Sequence, residues 1–71
     1  MNIMSEGTRR RLGIEILGLA LFLVKMDHQR RVQPLGIARN VMAKIEGVMF
    51  HIAFIVIRMK EVPGGYPMLL G

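Results

Sequence analysis

The chain has 71 residues, enough for one small domain whose own core would hide only about 60% of the unfolded surface. It is 52% hydrophobic with mean hydropathy +0.40, yet it carries a net charge of +5 from Lys+Arg 10 against Asp+Glu 5. Cysteine is absent, which excludes a disulfide framework and a thiolate metal site, and the oily centre excludes an intrinsically disordered chain.

Residues 1–8 read as a polar leader, with Thr8 as a candidate helix cap. Arg9, Arg10 and Arg11 follow, and a helix starting there would place three positive charges at the unfavourable end of its dipole. This basic run plus the apolar block Leu12 to Val24 has the outline of a secretory signal. A small-x-small cleavage site is lacking and Glu15 interrupts the block, so Met1 is expected to be the mature start.

Block one ends at Lys25-Met26, and the segment 11–27 is expected to be a helix in lipid, where Gly13 and Gly18 would admit a neighbouring helix. As a helix this 13-residue block spans about 20 Å, short of a hydrocarbon layer of about 30 Å. A basic connector, 28–40, contains Arg30 and Arg31. From Leu35 the spacing Leu35, Ile37, Ala38, Val41, Met42, Ile45 fits an amphipathic helix, with Pro34 in its first turn.

Gly47 divides two architectures. If it lies inside a helix, segment 41–60 is a membrane-spanning helix, the chain is an all-α helical hairpin, and Lys25, Arg58 and Lys60 join Arg9, Arg10, Arg11, Arg30 and Arg31 as lipid or partner contacts. If it caps a helix, block two, Val48 to Ile57, becomes a β-branched strand and the chain reads as a small α/β unit, βαβ, completed by a partner or by self-association. The tail 61–71, with Pro and Gly, reads as an irregular arm.

Little chemistry is on offer. One Ser, one Thr, two His, one Asp and four Glu make no credible triad, and the HxxxH spacing of a metal-binding helix is absent, so no catalytic residue, metal or cofactor is expected. Glu15 and His51 stand out as polar groups inside the apolar blocks, the former with Arg58 or Arg11 as a proposed partner and the latter as a candidate intramembrane polar site. The leading expectation is therefore a non-catalytic, structural or accessory small subunit of a membrane protein complex, partnered by larger subunits or by itself and by the bilayer. The first alternative is a soluble basic α/β interaction module, self-associating or nucleic-acid-associated. Nucleic acid is not favoured, because aromatic residues are too sparse for a stacking platform. A membrane-active peptide is the second alternative. No small-molecule substrate is expected.

Overall fold

Block two is a strand. Its β-branched and aromatic residues, Val48, Phe50, Ile52, Phe54, Ile55, Val56 and Ile57, suit a pleated backbone, and Glu46-Gly47 folds it back on the residues before it. The computed structural model describes residues 2–16, 18–25, 31–59, 62, 66 and 68–71. Their elements are β1 (Ile3–Ser5), α1 (Glu6–Leu12), β2 (Val24–Lys25), β3 (Arg31–Val32), β4 (Pro34–Ile45), β5 (Val48–Ile57) and β6 (Met68–Leu69).

Four strands form one sheet in the order β4-β5-β1-β6, and β2 pairs with β3 in a second, two-stranded sheet. β4 and β5 are a long antiparallel hairpin closed by the pair Ile45 and Val48, so its loop is only Glu46 and Gly47. Both loop residues have left-handed backbone, φ 51° and 81°, the type I′ geometry whose twist matches that of the strands. β1 adds parallel to the far end of β5, with Ile3 beside Ile55 and Ser5 beside Ile57.

Between Ala38 and Val41 the β4 register slips by one residue, so Arg39 and Asn40 together face Ala53. Asn40 absorbs the extra residue with φ 56°, a conformation its short polar side chain tolerates better than most. The slip changes the parity of β4. Ala38 before it and Val41, Ala43 and Ile45 after it therefore all share the face of Phe54, Ile52, Phe50 and Val48.

At its base the sheet is covered on both sides. One face buries Met4, Ala38, Phe54 and Val56, and the other contributes Ile3 and Ile57 to a cluster with Val24 and Val62, against which Val32, Ile55 and Met59 pack. Ile16 lies over β4 so closely that a Cβ at Gly36 would overlap its methyl group and sit 2.6 Å from the Gly18 carbonyl oxygen. Gly18 and Ile37 exchange backbone hydrogen bonds of 3.2 and 3.0 Å, which covers the β4 edge at that point.

Helix α1 starts earlier than the arginines suggested. Ser5 is its N-cap, accepting from the Thr8 amide at 3.2 Å, and Gly13 (φ 69°) closes it with its amide donating to the Arg10 carbonyl. Arg9, Arg10 and Arg11 thus occupy the last turn, where the dipole favours positive charge, and Glu6 occupies the first.

The all-α helical hairpin is overturned, and with it the transmembrane helices 11–27 and 41–60: the chain is mostly β, and among the described residues no helix is long and apolar enough to cross a membrane. Gly13 stops α1 at Leu12, and the Glu46-Gly47 turn breaks the second apolar stretch in two. The βαβ alternative is right about the second block as a strand and wrong about its surroundings. Residues 34–45 are strand rather than helix, and between the end of α1 at Leu12 and the start of β2 at Val24 the described part of block one forms neither a helix nor a named strand.

Candidate functional site

Beyond the Asn40 bulge the β4–β5 hairpin leaves the body of the sheet. β1 reaches only as far as Ile55 on one side and Gly18 only Ile37 on the other, so residues 41–52 form a two-stranded arm with no strand beside it among the described residues. Directly opposite residues in an antiparallel pair share a face. The pairs Val41–Ile52, Ala43–Phe50 and Ile45–Val48 therefore make one entirely apolar face, and Met42–His51 and Lys44–Met49 make the other.

The apolar face continues the buried face of the body without a break. Along β5, Val48 is 55% exposed, Phe50 45%, Ile52 half-buried, Phe54 1% and Val56 0%, all on the same side of the strand. Its outer half is simply uncovered. A further apolar surface, Leu19, Leu21, Phe22 and Leu23, is exposed on the irregular segment before β2.

Among the described residues, the basic side chains do not gather into one site. Arg9 and Arg10 both pair with Glu6, and Arg9 also donates to the Ile14 carbonyl at 2.9 Å, while Arg11 donates to Thr8 Oγ1 at 3.3 Å. Arg10 and Arg58 flank an open cavity of about 460 Å³ that also contains Glu6, whose carboxylate opposes an anionic occupant there. Lys25 and Arg31 stand directly opposite each other in the β2–β3 pair, and both are exposed. Arg30 and Lys60 lie outside the described residues.

Neither Glu15 nor His51 lies in a helix, and among the described residues no helix is long and apolar enough to cross a membrane. Glu15 is exposed beside an open groove of about 570 Å³ shared with Arg39, Asn40 and Val41, and it forms no ion pair with Arg58 or Arg11 among the described residues. His51 is exposed on the polar face of the arm. Among the described residues, no three of His, Asp and Glu come together.

The feature that sequence reasoning missed is the arm's apolar face. Its signal is the every-second-residue series Val48, Phe50, Ile52, Phe54, Val56. Half-buried Ile55 and buried Ile57, on the other side at the base, fill the intervening positions and hide the alternation. No family model, curated protein or solved structure matches the chain.

Proposed function

We propose that the chain is a small self-associating interaction module, in which the apolar face of the hairpin arm is covered by the same face of a second copy. The observation that carries this reading is the continuity of one apolar face from fully buried at Val56 to half-exposed at Val48. Such a face lowers its free energy only by finding cover, and an arm of two strands is at best marginally stable without it.

Area and charge both favour a second copy. A chain of 8.0 kDa is expected to expose about 4,450 Å² when folded, and this one exposes 5083 Å², an excess of about 600 Å². Two chains burying that excess would remove about 1,200 Å², the lower bound of standard protein interfaces. Each copy carries +5, so two copies repel over most of their surface. The face of Val41, Ala43, Ile45, Val48, Phe50 and Ile52 has no charge to bring into contact. A twofold axis through it would bring like onto like, as a closed dimer requires.

Sedimentation velocity over two decades of concentration tests this. The expected result is a reversible dimer, with Phe50→Asp weakening it at least about thirtyfold, the loss expected of an interface anchor worth about 2 kcal/mol. Circular dichroism should show the sheet retained. Met42→Asp, on the opposite face, should leave the dimer in place. A wild-type chain that stays monomeric throughout, or that binds anionic vesicles through Phe50 instead, overturns the proposal. Added salt separates a nucleic-acid role, since it screens repulsion between two basic copies but weakens binding to phosphates.

A further inference from the structure

The other face of the arm gathers three soft or borderline donors. Met42 stands directly across from His51, and Met49 is two residues from His51 on the same strand and face. Counted outward from the closing pair Ile45–Val48, the alternation of an antiparallel ladder makes Met42–His51 a non-hydrogen-bonded pair, the kind in which facing side chains approach most closely. Met49 lies diagonal to Met42, about 7–8 Å away at the backbone, a span that a flexible thioether side chain can close.

We propose that Met42, Met49 and His51 form a surface site for a monovalent soft cation, Cu(I), held by two thioether sulfurs and one imidazole nitrogen. Thioethers discriminate against hard divalent cations and favour Cu(I), and imidazole is an ordinary copper ligand. The three side chains are free to turn toward a common point: Met42 is 60% and Met49 50% exposed, His51 is exposed, and none of them accepts or donates a side-chain hydrogen bond among the described residues. On this face Lys44 stands opposite Met49 and Arg39 stands at the bulge opposite Ala53, and the long stems of both allow their charges to lean away. Neither the helical HxxxH spacing nor a carboxylate cluster is involved, because the register of a hairpin brings together residues seven and nine positions apart.

The site rests on strand register alone and stands whether or not the opposite face dimerises. Anaerobic titration of the purified chain with Cu(I) against a chromophoric Cu(I) chelator tests it, alongside methyl NMR with Ag(I) as a redox-inert probe. One equivalent is expected to bind, with shifts at the methyls of Met42 and Met49 and the ring of His51. The buried Met4 should not shift. Met42→Leu, Met49→Leu and His51→Phe should each weaken Cu(I) at least tenfold with the circular dichroism spectrum unchanged, while Met68→Leu should have no effect. Absence of binding, binding that survives all three substitutions, or equal affinity for Zn(II) overturns the site.

Discussion

At Gly47 the backbone holds φ +81° with open space where a Cβ would stand, whereas at Gly36 the space is filled by Ile16 and the Gly18 carbonyl. The two glycines are thus required for different reasons, one conformational and one steric. Gly47→Ala should cost about 1 kcal/mol, the penalty for a side chain in the left-handed region. Gly36→Ala should cost about 1–3 kcal/mol, because the strand and the segment over it must separate. Urea unfolding of the two variants measures both. The sharper readout is amide exchange: Gly36→Ala should speed exchange at Gly18 and Ile37, whose amides hold the two segments together, and Gly47→Ala should not. Equal exchange in both variants would refute the steric account of Gly36.

The same residue-by-residue logic scales up to β4, whose apolar positions were open to a wrong period. Ala38, Val41 and Ile45 are spaced by three and four residues, as on one face of a helix, and they do share a face. They share it because the Asn40 bulge inserts one residue into a strand and shifts its alternation, which mimics the helical period over that window. Pattern alone cannot separate the two cases. Glu46-Gly47 is a weaker hairpin signal than Asn-Gly, since Glu has no special tolerance for positive φ, so the turn was also hard to see. What was legible was the strand character of Val48 to Ile57 in one alternative. The arm was not, because its exposure depends on where β1 and Gly18 stop covering the hairpin, and those contacts span dozens of residues. The bulge supplies its own test. Asn40→Gly should leave stability within a few tenths of a kcal/mol, and Asn40→Val should lose about 1–2 kcal/mol from the left-handed backbone. Deleting Asn40 should be worse than either, since it would turn Val41, Ala43 and Ile45 to the opposite face while β5 stayed in place. If chemical denaturation found the deletion as stable as the parent, the bulge would not set the arm's faces.

For the molecule as a whole, small size and exposed surface pull in one direction. A 71-residue chain without cysteine has few ways to offset the entropy of ordering its backbone, and its residual apolar surface is concentrated on the arm and on Leu19 to Leu23. If a second copy covers the arm, association adds to the stability of the folded monomer and the melting temperature must rise with protein concentration. A tenfold increase contributes about 1.4 kcal/mol per dimer, which for a domain of this length amounts to several degrees. Differential scanning calorimetry at a series of concentrations measures it. In Phe50→Asp the melting temperature should become independent of concentration and fall to the low-concentration limit of the parent. Charge makes the comparison more specific: with +5 on each copy, moderate salt should raise the parent's melting temperature more than that of the monomeric variant, because only the parent brings two basic surfaces together. A parent whose melting temperature ignores both concentration and partner would have to be stabilised by its 71 residues alone, and the uncovered half of the Val48-to-Val56 face would then be an unrelieved cost that its own core outweighs.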